Sequence, residues 1–197
     1  MVPETWDLKE LLNAGWSETD LAWETAAEAT ADAAAQKDFL RAKEEAGQLL
    51  QMARANFEPI DPRLGTSLAN YGVCLSLAGD DQAKASLFAK ALEVWKGSGP
   101  WIARMDAPRV ARSSMFHLRM EARHRDTYRG LWQQRWREIA GETVKRLDAL
   151  NAPDAAVTAP PSDTLAVWRR ERPAMLNDTR KLMAAALLLL APPVSDV

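Results

Sequence analysis

Between Asp61 and Trp101 the chain reads DPRLGTSLANYGVCLSLAGDDQAKASLFAKALEVWKGSGPW, and this stretch constrains the fold more than any other. Leu64, Leu68, Tyr71 and Leu75 recur at steps of three or four, the spacing that lines one face of an α-helix. Ala78-Gly79-Asp80-Asp81 breaks the run. Ala85, Phe88, Ala91, Leu92 and Trp95 resume the period until Gly97-Ser98-Gly99-Pro100 ends it. Two helices joined by a tight turn satisfy this pattern. Gly72 lies inside the first of them, where glycine costs about 1 kcal/mol relative to alanine. Its presence there predicts a large side chain packed against the helix backbone.

The flanking sequence repeats the theme. Ser17-Glu18-Thr19-Asp20 has the form of a helix start, with Ser17 as N-cap and Asp20 three residues on. A helix to about Ala35, a turn at Gln36-Lys37-Asp38 and a second helix from about Phe39 to Asn56 follow. Pro59 and Pro62 stiffen the link into the central stretch. Trp101 to Met105 reads as a short helical turn. Further on, Pro62-Arg63-Leu64-x-x-Ser67 is echoed by Pro108-Arg109-Val110-x-x-Ser113. A third pair is expected from about Val110 to Arg125 and from Thr127 to Leu150, with Tyr128, Trp132, Trp136, Ile139, Thr143 and Leu147 in helical step. Alanine and leucine abound and β-branched residues are few, so the expected class is all-α.

The expected organisation is a helical repeat domain over residues 1–150, a Pro/Ala linker over 151–163 and a C-terminal helical segment over 164–197. Leu182 to Ala191 is apolar on every side. At about ten residues it is half of a membrane span. Its expected place is against the last repeat or in a homodimer interface. Trp6, Trp16 and Trp23 load the first 23 residues with aromatic rings suited to sealing one end of a core.

The central stretch resembles one tetratricopeptide (TPR) repeat. Leu68, Tyr71-Gly72, Leu75, Gly79, Phe88 and Ala91-Leu92 stand where that family places its large residues, its glycines and its Ala-Leu pair. An ordinary helical hairpin carrying Gly72 and Gly79 fits the same residues. The first pair is a degenerate copy, with Trp23 in the place of Leu68, Ala26-Ala27 in that of Tyr71-Gly72, and Lys37 where the turn glycine stands. The third pair lacks both glycines. The resemblance implies a short solenoid of antiparallel helix pairs with capping helices at both ends, hollow on the side of each pair's first helix. The groove residues it implies are Glu24 and Glu28 in the first pair, Asn70 in the second, and Phe116, His117, Met120, Arg123 and His124 in the third. It implies a non-catalytic adaptor or assembly factor that holds a peptide or helix of a protein partner and needs no cofactor.

The net charge of −2 conceals an asymmetry: residues 1–101 carry −7, residues 102–147 carry +6 and residues 148–197 carry −1. The basic third pair therefore suits an acidic or carboxylate-ended partner, although solvated helix faces explain the same charges. His117, Glu121 and His124 share one helical face at offsets of four and seven. A small helical metal or cofactor protein built on these three is the alternative reading. Arg119, Arg123 and Arg125 on the same helix oppose a cation. The sequence has no phosphate loop, no Gly-x-Ser-x-Gly and no metalloprotease helix, so no enzyme is expected. Nucleic-acid binding is not expected either, since Trp132 and Trp136 sit on a helix seam and the whole chain is mildly acidic. The single cysteine, Cys74, allows no internal disulfide. No basic stretch leads into an apolar run at the start, and a cytoplasmic protein is expected.

Overall fold

Ser17 opens the first helix. Its hydroxyl accepts the Asp20 N–H at 3.1 Å, and the Asp20 carboxylate accepts the Ser17 N–H at 2.8 Å. This reciprocal pair satisfies two backbone donors that a helix start otherwise leaves exposed. From that cap runs α1 (Glu18–Ala35), followed by α2 (Phe39–Asn56), α3 (Pro62–Leu77), α4 (Lys84–Gly97), the short α5 (Gly99–Ala103), α6 (Arg125–Leu150) and α7 (Asp178–Ala186). The computed structural model describes residues 12–13, 15–105, 115, 119, 122–152, 155–160 and 178–186. Among the described residues there is no strand, so the chain is all-α as its composition implies. The bounds of α1 to α4 match the sequence periods. Most of the expected 110–125 helix, the 164–172 segment, Trp6 and Leu187 to Leu190 lie outside the described residues.

The two N-terminal hairpins turn in the same way. After α3, the Gly79 N–H donates to the Ser76 carbonyl at 3.0 Å and the Asp80 N–H to the Leu75 carbonyl at 2.9 Å. After α1, the Lys37 N–H donates to the Ala34 carbonyl at 3.0 Å and the Asp38 N–H to the Ala33 carbonyl at 2.9 Å. Both are Schellman terminations, which need a left-handed residue just past the helix. Gly79 takes φ +83 without penalty, whereas Lys37 takes φ 62 with a Cβ in place. The position where the repeat pattern lacks its glycine is thus a strained one.

Packing follows chain order through the first four helices: α1 lies on α2, α2 on α3, and α3 on α4, while α6 packs on α4. Trp23, Leu49, Val73, Phe88, Trp95, Trp136 and Leu147 are buried in one continuous core. The large neighbour expected beside Gly72 is Phe88. A Cβ on Gly72 would stand 2.8 Å from its Cε1 atom. Gly65 plays the same part for Trp95, whose Cδ1 would lie 2.7 Å from an added Cβ. One element leaves this sequential order. The last described helix, α7, returns to pack on α3, far back along the chain, and also packs on α6.

Candidate functional site

The side of α1 and α3 that the repeat pattern assigns to a hollow carries Asp20 and Glu24 from α1 and Arg63, Thr66 and Asn70 from α3. Each of these is less than a tenth exposed. Such burial is unusual for charged groups and needs matched partners. Arg63 supplies the first match. Its guanidinium reaches Asp61 through Nε and Nη2, at 3.0 and 2.6 Å, and Asp20 through Nη1 at 2.5 Å. It also stacks over the Phe57 ring at 3.7 Å from the centroid. Burial opposes the charge on Arg63, but the Asp61 and Asp20 carboxylates more than offset it and hold the guanidinium above its usual range. For Asp20, burial pushes the carboxyl upward. The Ser17 N–H, Arg63 and Lys181 together overcome that push and bring it down to about 2.

The second set of matches comes from α7. Arg180 grips Glu24 with two parallel contacts, Nε to Oε1 at 3.1 Å and Nη2 to Oε2 at 2.5 Å, and the pair is almost wholly buried. This fork-to-fork geometry is available to arginine and not to lysine. Lys181 reaches Asp20 at 3.0 Å. The Trp16 ring lies 4.7 Å from the Arg180 guanidinium and 5.3 Å from the Lys181 ammonium. Leu182, Ala184, Ala185 and Ala186 are buried behind these cations. The Thr66 hydroxyl donates to the Ala185 carbonyl and accepts the Trp95 indole N–H at 3.3 Å. Arg146 of α6 donates to the Ala186 carbonyl at 3.2 Å. The face is therefore a seat for a helix, and in this conformation the chain's own α7 fills it.

That occupancy corrects the expected open groove. Glu24, expected to line the open groove, is 3% exposed and its carboxylate is bound to Arg180. Asn70 is 1% exposed, and its amide nitrogen has no hydrogen-bond acceptor among the described residues. Glu28 is half-buried on α1. Arg123 and His124 are exposed just ahead of α6, whereas Asn70 is buried. Phe116, His117, Met120 and Glu121 lie outside the described residues, so the His117–Glu121–His124 set is not placed. The described wall carries the carboxylates Asp20 and Glu24, which receive Lys181 and Arg180; most of the basic helix expected in the third pair lies outside the described residues. The C-terminal helix, up to Ala186, packs on α3 and α6 of its own chain, and the Leu187–Leu190 face expected against the last repeat or in a homodimer lies outside the described residues. Among the described residues no helix is long and apolar enough to cross a membrane.

Sequence reasoning passed over Asp61, Arg63, Arg180 and Lys181. The signal for Arg63 was present, since an Asp-Pro-Arg helix start puts a cation in an otherwise apolar stretch. Nothing local marks Arg180 as a partner of a residue 156 positions away. Cys74 is buried, and that burial, with Glu45 adding to it, pushes its thiol up to about 12, which makes it inert as a nucleophile. Comparison with protein-family models, with characterised proteins and with solved structures gave no significant match to this chain.

Proposed function

We propose that the protein is a non-catalytic adaptor or assembly factor of the cytoplasm that holds a helix of a protein partner on the TPR-like face of α1 and α3. The observation that carries this reading is the seat itself. A helix from far along the chain lies there, held through the buried Arg180–Glu24 fork and the Lys181–Asp20 pair. A surface that accepts one helix in cis by side-chain contacts has the chemistry to accept another in trans. The partner then presents two adjacent cations to Asp20 and Glu24, followed by small apolar residues that clear Thr66. While α7 is seated, the affinity for such a partner is reduced by the fraction of molecules whose seat is vacant.

The test uses the full chain. Reversing Arg180 and Lys181 to glutamate sets α7 against Asp20 and Glu24 and vacates the seat. A labelled peptide with the sequence of residues 174–190 should then bind the reversed chain at least tenfold more tightly than the unmodified chain, by fluorescence anisotropy. Adding Glu24→Ala should abolish the gain. Failure of the peptide to bind the reversed chain, with the helical signal in circular dichroism retained, refutes the reading.

A further inference from the structure

The two carboxylates of the seat meet their cations in different ways. Glu24 receives Arg180 on both oxygens, Nε on Oε1 at 3.1 Å and Nη2 on Oε2 at 2.5 Å. Asp20 has one oxygen already engaged from within the wall. Asp61 holds the Arg63 guanidinium through Nε and Nη2, which leaves Nη1 to occupy Asp20 Oδ1. Lys181 therefore meets Oδ2, at 3.0 Å, and that oxygen also accepts the Ser17 N–H at 2.8 Å. One site is a two-oxygen fork and the other is a single, shared oxygen.

The two sites suit different cations. At Glu24 a guanidinium fills the fork with two parallel donors and stands over the Trp16 ring. An ammonium there is a point charge without that planar fork, in a site where the pair is 1% and 3% exposed. At Asp20 the preference reverses. An ammonium suits one oxygen, whereas a guanidinium brings five donors to an acceptor that is already shared. The Lys181 side chain is 11% exposed, so the donors left over lose water without gaining a partner.

We propose that the seat reads an ordered pair, arginine first and lysine second, so that the helix it takes presents Arg-Lys on consecutive residues and discriminates against Lys-Arg. Arg63 sets the order, because it occupies the Asp20 oxygen that a second arginine would need. For a partner in trans this rests on the adaptor reading; for the chain's own α7 it does not.

The test has two arms. In the full chain, exchanging the pair (Arg180→Lys with Lys181→Arg) keeps composition and net charge. Hydrogen-exchange protection of residues 178–186 should fall by about tenfold or more, with α2 to α4 still protected. Lys181→Arg alone should also lower it. In trans, labelled peptides of residues 174–190 carrying either Arg-Lys or Lys-Arg are titrated into the chain with both cations reversed to glutamate. By fluorescence anisotropy the Arg-Lys peptide should bind about tenfold or more tightly than the other. If both peptides bind equally, the adaptor reading stands and the ordered pair is overturned. If neither binds, the adaptor reading fails and the exchange within the chain still decides the order. Unchanged protection of 178–186 in the exchanged chain overturns the proposal, and so does a gain in protection with Lys181→Arg.

Discussion

Replacing Glu24 with alanine leaves Arg180 as a buried cation without its anion. Breaking a buried pair from one side in this way costs about 3–5 kcal/mol. The force opposing release of α7 is its apolar burial. Leu182 contributes roughly 1.5–3 kcal/mol and each methyl of Ala184, Ala185 and Ala186 about 0.8 kcal/mol, about 4–5 kcal/mol together. The two quantities are of the same size, and ordering the helix has its own entropic cost. The cheaper response to Glu24→Ala is therefore to release α7 locally rather than to unfold the chain. Hydrogen exchange followed by mass spectrometry reads this directly. Protection of the amides of residues 178–186 should fall by about two to nearly four decades, at 1.4 kcal/mol per tenfold, while protection in α2 to α4 is retained. The double substitution Glu24→Ala with Arg180→Met removes both charges and should restore most of the protection, because a buried pair exchanged for apolar groups is close to neutral. Retained protection in 178–186 after Glu24→Ala would refute the reasoning, and so would a double variant no better protected than the single one.

Three further outcomes follow from particular residues. Lys37→Gly removes a Cβ from a left-handed position at φ 62 and should stabilise the chain by about 1 kcal/mol in urea denaturation. Gly72→Ala gains helix propensity but drives a methyl into the buried Phe88 ring, and should destabilise by about 1–3 kcal/mol; a Phe88→Leu background should relieve most of that penalty. The Asp20 carboxyl is held at about 2 in the folded state against an ordinary 3.8. Its contribution is present in full above the ordinary value and is lost as the pH falls through about 2. Some of the network is solvent-screened, so a pH-dependent denaturation series should lose about 1–2 kcal/mol over that window in the native chain and much less in Asp20→Asn.

What the sequence determined by itself is local. Helix starts at Ser17 and Asp61 and stops near Ala35 and Leu77 follow from caps, glycines and prolines that act within four residues. The apolar period of each segment sets which face turns inward, and the close approach at Gly72 is written in the residue that permits it. The buried seat could not be read in the same way. Arg180 and Lys181 look like ordinary surface charges in their own segment, nothing beside Glu24 or Asp20 names them as partners, and burial of any one alone would be prohibitive. Only folding that brings α7 back over α1 and α3 makes them compatible, since a charge can leave water only where its counter-charge is already placed. The same holds for the Trp136 indole. Its helix seam was legible from spacing, but that its donor would be buried with no acceptor among the described residues depends on how α6 packs on α4, which the whole core sets.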